Sequence, residues 1–284
     1  MSTWINTDNP HFSDRYPWRR FTIQHTLNNH PSLSLERLVE VARALPRERV
    51  EFNLGTVDIG MRPEKVPING LTPEETVRRI EKNKSWIVLK YVEQIPEYKQ
   101  LLDQCLADIR QFTDKNLDGL HAEQAFIFIS SPGSVTPYHI DQEHNFLLQI
   151  RGNKTMHVWD PDDRVAMPEE AVEATVFGAN AHRNLPWDDN FRQRGEAVSL
   201  TPGAGVYVPV HSPHWVKNGD AVSISFSITF RSAWSRRYVG MFALNAKLRS
   251  LGWRPAPVGQ SALRDKVKYG LFLLMSSLLR KKAA

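Results

Sequence analysis

The first third of the chain alternates between helical and extended patterns. Apolar residues recur every three or four positions over 35–45, which predicts a helix that is capped by Ser34 and stopped by Pro46. A second helix is predicted from Thr72, because a capping threonine, a first-turn proline and acidic residues near the positive end of the helix dipole follow one another there. The remaining predictions are a strand over 86–92, a helix over 97–112 and an ordered but irregular arm over the first 30 residues.

Between residues 122 and 231 the pattern changes to short apolar or alternating runs separated by Gly, Pro and Asp. Short strands at such spacing predict a β-sandwich or barrel, so the fold class is mainly β with flanking helices. After residue 234 the pattern is helical again. The predicted division is an N-terminal α/β region over 1–121 that packs on the core, a barrel over 122–233 and a helical region over 234–284. The predicted strands are 125–130, 145–150, 154–159, 197–200, 205–210, 214–218 and 222–230.

The charge of the chain is concentrated at one end. The formal net charge is +5, and the segment 264–284 carries an excess of the same size, so the rest of the chain is neutral. A general basic face for nucleic acid is therefore not indicated. The single cysteine, Cys105, excludes an intrachain disulfide and a cysteine-based zinc site. The N-terminus lacks a basic stretch followed by an apolar run, so we expect no secretory signal and a cytoplasmic location.

The tail over 266–282 is apolar in its middle and basic at both ends. Our first interpretation is a C-terminal helix that packs on the domain or on the second subunit of a homodimer. The second is a helix that contacts a membrane surface peripherally, which the same composition suits. The nine residues 271–279 are too few to span a bilayer.

The candidate chemistry begins with His139 and Asp141. Residues two apart on a strand point to the same face, so one imidazole and one carboxylate can hold a metal ion from one side. A third ligand from a distant strand would complete a triangular face and leave three positions open, which is the pattern of the non-haem iron oxygenases. The pair by itself occurs often by chance, and a lone histidine is equally typical of a hydrogen-bonded core residue.

Two histidines compete for the third position. Pro213 favours an extended residue before it, so His214 is expected to open a strand, whereas His211 lies in the preceding turn. We therefore favour His214 as the ligand. The alternative role for His211 is that of a surface histidine or of a neighbour behind the ligands.

Three further residues are candidates for binding an anionic ligand. Lys154 follows the turn Arg151-Gly152-Asn153, which predicts a hairpin, and a lysine inside a barrel needs an anionic partner. Thr136 and Asn145 flank the histidine–aspartate pair and can donate or accept hydrogen bonds. Each has an ordinary alternative, since Lys154 could be a solvated hairpin residue and the other two could be turn residues.

These stretches resemble the Jumonji C (JmjC) and cupin-like oxygenases, and most of all the asparaginyl hydroxylase that inhibits hypoxia-inducible factor. Members of that group carry a T-P-x-H-x-D run, then N-F, then Q-I-x-G-x-K, and later P-G-x-x-x-Y-x-P-x-x-x-x-H. The matching residues here are Thr136-Pro137-Tyr138-His139-Ile140-Asp141, Asn145-Phe146, Gln149-Ile150-Arg151-Gly152-Asn153-Lys154, and Pro202-Gly203 with Tyr207, Pro209 and His214.

The resemblance covers about residues 122–231 and implies a double-stranded β-helix of the cupin or jelly-roll type. It implies an Fe(II)- and 2-oxoglutarate-dependent dioxygenase, which uses O2 to hydroxylate a C–H bond. The implied metal ligands are His139, Asp141 and His214, and the implied co-substrate contacts are Lys154, Thr136 and Asn145. Thr229 departs from the asparagine of the asparaginyl hydroxylase, so one co-substrate contact is left open.

Three alternatives stay open at this point. A catalytically silent cupin could bind a metal or small ligand as a sensor or scaffold, and a zinc hydrolase could use the same triad. The substrate is undetermined, with a protein side chain preferred over a small molecule or lipid and nucleic acid least favoured. Phe146, Leu148 and Trp215 are expected either to shield the reaction or to serve as plain core residues.

Overall fold

The computed structural model describes residues 3–6, 12–62, 65–113, 119–176 and 184–283, with side chains in these ranges except at Ser13 and 278–283. Its strands form two antiparallel sheets. The strands are β1 (Ile5–Asn6), β2 (Phe21–His25), β3 (Val50–Leu54), β4 (Ser85–Lys90), β5 (His121–Ser130), β6 (Val135–His139), β7 (His144–Arg151), β8 (Lys154–Val158), β9 (Glu196–Leu200), β10 (Ala204–Val208), β11 (His214–Asn218) and β12 (Ser223–Arg231).

The larger sheet has the order β1-β2-β10-β7-β12-β5-β4-β3, and the smaller has the order β6-β11-β8-β9. The helices are α1 (Phe12–Arg15), α2 (Leu35–Ala44), α3 (Pro73–Arg78), α4 (Pro96–Thr113), α5 (Glu169–Val176), α6 (Ala233–Ser250) and α7 (Ala262–Ala283).

Apolar side chains fill three layers around the two sheets. Between the sheets lies a small cluster that includes Leu147, Met156 and Val206. The outer face of the larger sheet packs on α2 and α4 through a much larger cluster, which contains Phe146 and Leu148. A third cluster covers the outer side of the smaller sheet together with residues of α5 and α6. The two facing sheets with flanking helices confirm the mainly β, jelly-roll fold class.

The turn at Gly152 is a corner between sheets, so the predicted hairpin is wrong. β7 pairs with β10 and β12 in the larger sheet, whereas β8 pairs with β11 and β9 in the smaller one. Gly152 has φ +67°, and a Cβ there would lie 2.3 Å from the carbonyl oxygen of Val222. Only glycine fits this corner, and the corner delivers Lys154 to the start of β8.

The described residues among the first 30 are more regular than predicted. Phe21, Ile23 and His25 are buried on one side of β2, and the strand pairs with β10 over four residues. The alternation of buried and exposed residues in this segment is typical of a strand. The partner strand β10 lies about 180 residues away in the sequence, so local patterns do not reveal the pairing.

The predicted helices are confirmed with their caps. The Ser34 side chain accepts a hydrogen bond from the backbone of Arg37 at the start of α2, and Thr72 and Glu75 form a capping box at α3. In the C-terminal region, α7 packs on α6 where the ring of Phe272 lies against Gly240. No helix among the described residues is long and apolar enough to cross a membrane. The division at residues 121 and 233 stays a prediction.

Candidate metal centre

Two histidines face each other across the smaller sheet. His139 ends β6 and His214 begins β11, and the two are register partners in the antiparallel ladder. Partners in such a ladder project from the same face of the sheet, so the imidazoles meet with their ring centroids 4.1 Å apart. Pro213 precedes β11, and the extended conformation that it imposes sets where the strand begins.

Asp141 completes a compact group of three. It lies two residues past the end of β6, and its backbone carbonyl accepts a hydrogen bond of 2.8 Å from the backbone of His211. Its Oδ2 is 4.0 Å from Nε2 of His139 and 3.7 Å from Nε2 of His214. One ligand atom from each of the three residues lies within 4.8 Å of the others, which is the spacing of groups that share one metal ion.

Backbone carbonyls fix the orientation of both imidazoles. Nδ1 of His139 is 2.7 Å from the carbonyl oxygen of Pro137, and Nδ1 of His214 is 2.9 Å from that of Ser212. Because a carbonyl can only accept, Nδ1 of each imidazole carries a proton, and each Nε2 lies on the side of Asp141. Two imidazoles that bind through Nε2 and one carboxylate are a donor set that Fe(II) and Zn(II) both accept.

His211 is placed apart from this group. It is fully buried in the turn before β11, with φ +60°, and its ring packs against Tyr238 and Phe242 of α6. Burial lowers its pKa to about 3, so the ring is neutral. Neither ring nitrogen has a hydrogen-bond partner among the described residues. A surface position for His211 is therefore wrong, and the geometry groups His214 with the pair, although the ligand roles themselves stay predictions.

Lys154 lines the same cavity as the three grouped residues. The cavity measures about 440 Å³ and lies between the two sheets. Lys154 is only 6% exposed, and burial lowers its pKa from 10.5 to about 7. Within the described ranges no carboxylate forms an ion pair with it. The solvated hairpin alternative is wrong, because this lysine projects into the interior.

Thr136 and Asn145 also line the cavity, as does Thr229. Asn145 accepts a hydrogen bond of 2.8 Å from the hydroxyl of Ser227, which fixes its carboxamide. Thr229 is the register partner of Asn145, and its buried hydroxyl has no hydrogen-bond partner in the described part of the chain. An unpaired buried hydroxyl is costly unless something else binds it, so Thr229 is a further candidate contact for a polar ligand.

The sequence reasoning missed the aromatic wall of the cavity. Trp86, Phe126 and Phe128 line it from the neighbouring strands β4 and β5. Residues 126 and 128 are two apart on one strand and therefore share a face. That spacing was a usable signal, but nothing local identified this face as the one toward the ligand site.

The proposed shielding role of Phe146, Leu148 and Trp215 is wrong, and the alternative of core packing is confirmed. Phe146 and Leu148 point to the helix-covered side of the larger sheet, and Leu147 lines the cavity instead. Trp215 lies on the outer side of the smaller sheet and stacks on His157. Side chains alternate along a strand, so Asn145 in the cavity requires Leu147, and excludes Phe146, on the same face.

Solved structures and curated proteins were compared with this chain. The fold matches E. coli YcfD with a TM-score of 0.54 and 17% identity, covering 97% of this chain and 69% of that one. A second structure of YcfD, described as a ribosomal oxygenase in complex with cobalt and 2-oxoglutarate, matches with a TM-score of 0.52 and 18% identity, covering 96% and 68%. At these identities the likeness shows the fold alone.

Curated relatives match over part of their length. Zebrafish HSPB1-associated protein 1 homolog is 30% identical over 146 residues, which cover 48% of this chain and 31% of that protein. Human HSPB1-associated protein 1 is 29% identical over 126 residues, covering 41% and 25%. Lysine-specific demethylase 8 of Xenopus tropicalis is 28% identical over 146 residues, covering 49% and 30%. The matches thus span less than a third of the length of these proteins.

The family comparison covers more of the chain. A model described as "Cupin-like domain" matches residues 48–235, a range that includes the grouped His139, Asp141 and His214 and the buried Lys154. That range is more than half of the sequence and spans most strands of both sheets. The chain therefore belongs to the family of cupin-like domains.

Proposed function

We propose that the protein is an Fe(II)- and 2-oxoglutarate-dependent oxygenase that hydroxylates a C–H bond of a protein side chain or small molecule. The observation that supports this function best is the combination, in one cavity, of a buried lysine and three side chains that are spaced to hold one metal ion. The fold likeness to an oxygenase whose structure contains cobalt and 2-oxoglutarate agrees with it.

The proposed metal ligands are His139, Asp141 and His214. The triad supplies one negative charge and two imidazoles held in the correct tautomer by backbone carbonyls. Iron(II), when bound, would supply the activation of O2 that is coupled to the decarboxylation of 2-oxoglutarate to succinate. Because the protein contributes three ligand atoms, an octahedral ion would keep the positions that a chelating co-substrate and O2 require.

Lys154 is proposed to bind the far carboxylate of 2-oxoglutarate. A buried ammonium group gains most from an anion that enters the same dry cavity, because the ion pair replaces the hydration that burial removed. Thr136, Asn145 and Thr229 are proposed to orient the co-substrate by hydrogen bonds. A zinc hydrolase has no evident use for Lys154, so this residue favours the oxygenase over that alternative.

The cavity walls suit an oxidative reaction. Trp86, Phe126 and Phe128 present carbon surfaces to the space beside the triad, which limits the access of water. Two ion pairs line the same cavity, between Lys90 and Glu51 and between Arg231 and Glu143, and their side chains are partly exposed. We propose that they contact the substrate as it enters.

A protein side chain is our preferred substrate. Lysine-specific demethylase 8 is named for action on lysine, which is an amino acid of proteins. The motif resemblance to the asparaginyl hydroxylase that inhibits hypoxia-inducible factor points in the same direction. A small molecule is the alternative that the cavity volume also accommodates.

The proposal is tested by succinate release from 2-oxoglutarate under O2 with Fe(II) and ascorbate. We expect release by the wild-type chain and loss of both release and calorimetric 2-oxoglutarate binding in Lys154→Ala. Binding that requires Lys154 without any release, at confirmed iron occupancy and across peptide and metabolite pools, would instead support the catalytically silent cupin. In the same screen, a product that gains the mass of one oxygen atom identifies the substrate.

A further inference from the structure

The described side chains of the C-terminal helix α7, residues 262–277, include apolar residues on two faces, and α6 covers one of these faces. On the covered face Phe272 packs at Gly240, and Lys268 is turned inward, where its Nζ donates to the carbonyl oxygen of Ala256. These contacts hold the helix on the domain. They also orient the opposite face away from it.

The opposite face carries a row of large exposed apolar residues, here called the outer stripe. Its members Leu263, Val267, Leu271 and Leu274 are spaced by four, four and three positions, so they lie along one side of the helix. Each is between 49% and 74% exposed. A contiguous apolar surface of this kind on a soluble domain marks a binding site more often than chance exposure.

One further large apolar residue is exposed outside the outer stripe. Trp253 is 67% exposed in the loop that joins α6 to α7. Tryptophan is enriched at the boundary between lipid headgroups and acyl chains.

The charges beside the outer stripe are positive. Arg264 and Lys266 are exposed, whereas Asp265, the one acidic residue among the described side chains of α7, accepts a hydrogen bond from the backbone of Gly259 in the loop. Near the C-terminal end of the helix the sequence contains Arg280, Lys281 and Lys282. The structure does not describe the side chains of these three residues. Both ends of the helix are therefore basic.

We propose that the outer stripe binds the surface of an anionic lipid membrane, with α7 lying in the plane of the interface. The apolar side chains would enter the boundary between headgroups and acyl chains, and the flanking cations would pair with lipid phosphate and carboxylate groups. The helix is not apolar enough to cross the bilayer, which agrees with a peripheral position.

A second copy of the chain fits this surface less well. If two α7 helices paired along their outer stripes in parallel, Arg264 and Lys266 of one copy would meet their own equivalents. This parallel arrangement places like charges together, which costs free energy, whereas an anionic membrane neutralises them. An antiparallel pair is distinguished by the oligomeric state in the test below.

The test is co-sedimentation of the full chain with vesicles of phosphatidylcholine alone and of phosphatidylcholine mixed with phosphatidylserine. We expect binding to the mixed vesicles that weakens with added salt. Leu271→Ser combined with Leu274→Ser is expected to weaken it about tenfold or more, because two apolar anchors are lost. The matched control is Ile68→Ser combined with Val165→Ser, since both residues are more than half exposed elsewhere on the molecule and should leave binding unchanged.

Three results would overturn the proposal. The first is equal sedimentation with neutral and anionic vesicles, and the second is full binding by the Leu271→Ser, Leu274→Ser variant. The third is a wild-type dimer that this variant converts to a monomer while neither protein binds vesicles, since that would assign the outer stripe to a second copy. The stripe does not line the metal cavity, so these results are independent of the oxygenase activity.

Discussion

A buried lysine without an anionic partner costs folding free energy, and Lys154 is such a residue. Its pKa is lowered from 10.5 to about 7, and each unit of such a shift corresponds to roughly 1.4 kcal/mol between the two protonation states. The cost is greatest at low pH, where the lysine is charged in both the folded and unfolded states. An anionic ligand that pairs with Lys154 would offset this cost.

Replacing this lysine therefore has opposite effects on stability and on binding. We expect Lys154→Met to unfold at a higher denaturant concentration than the wild type below pH about 7, while 2-oxoglutarate binding is lost. As the pH rises from about 7 toward 10.5, the wild-type lysine is neutral when folded but still binds a proton when unfolded, so the wild type gains stability and the difference shrinks. Denaturant unfolding over this pH range measures it, and a difference that does not change with pH would contradict the buried, unpaired state.

The grouping of His139, Asp141 and His214 could be predicted only in part from local rules. The two-residue period of a strand predicted that Asp141 lies beside His139, although β6 ends at His139 and Asp141 follows it. The approach of His214 to His139 depends on the pairing of β6 with β11, which no local pattern shows. Counted from Asn145, the same two-residue period places Phe146 on the opposite face of β7. The expected shielding role of Phe146 could therefore have been rejected from the sequence. The position of Thr229 could not be found in this way, because it depends on pairing between β7 and β12.

The strands around the site are joined by corners whose backbone admits few residues. β7 and β8 belong to different sheets, and the chain passes between them at Gly152. Two constraints coincide there, since φ is positive and a side chain would strike the carbonyl of Val222. The corner sets the position of Lys154, so it is expected to influence both folding and co-substrate binding.

Gly152→Ala separates these constraints when it is compared with Gly70→Ala. Gly70 has φ +70° but no atom within 4 Å of an added Cβ, so its variant reports the cost of the backbone angle alone, about 1–2 kcal/mol. Gly152→Ala should lose more stability than this and should also weaken 2-oxoglutarate binding. Thermal unfolding and calorimetry measure the two effects. Equal losses of stability in both variants would show that the close contact with Val222 does not constrain the corner.

Local patterns predicted individual elements better than their partners. The apolar periods and caps gave α2, α3 and α4 and seven strands of the barrel region, because these signals lie within each segment. The sequence around Gly152 is equally compatible with a hairpin and with a corner, since the turn chemistry is the same. Which one forms depends on the facing sheet, as does the insertion of β2 beside β10.

In the complete fold, the cavity lies between the two sheets, in the region that the polar side chains of the site line. Apolar clusters fill the other part of the space between the sheets and cover both outer faces. The triad comes from the smaller sheet and the loop beside it, whereas Asn145 and Thr229 come from the larger sheet. A ligand that contacts both sets joins the two sheets and should therefore stabilise the whole domain.

Ligand-linked stability tests this arrangement without turnover. With Co(II) and 2-oxoglutarate each at about 100 times its Kd, either ligand alone should add roughly 2.7 kcal/mol, and together they should raise the Tm by several degrees. Asp141→Ala should lose the shift that requires the metal. An identical Tm shift in Asp141→Ala and in the wild type would show that the ligands bind elsewhere.

Sequence reasoning predicted the fold class of the molecule but not its layering. The strand-rich middle and the family resemblance led to a jelly roll, yet β2, β3 and β4 come from the region before residue 121 and belong to the larger sheet. Short strands far from the barrel segment carry little local signal of the sheet that they join. For α7 the composition favoured packing and also suited a membrane surface, and only the structure shows which side of the helix α6 covers.

The central claim is that His139, Asp141 and His214 bind one metal ion, and anaerobic titration with Fe(II) followed by metal analysis tests it most directly. We expect one iron per chain in the wild type and in His211→Leu, which keeps an apolar side chain in the buried turn. His214→Ala should lose that iron while remaining folded. Iron retained by His214→Ala, or lost from a folded His211→Leu, would contradict the proposed site.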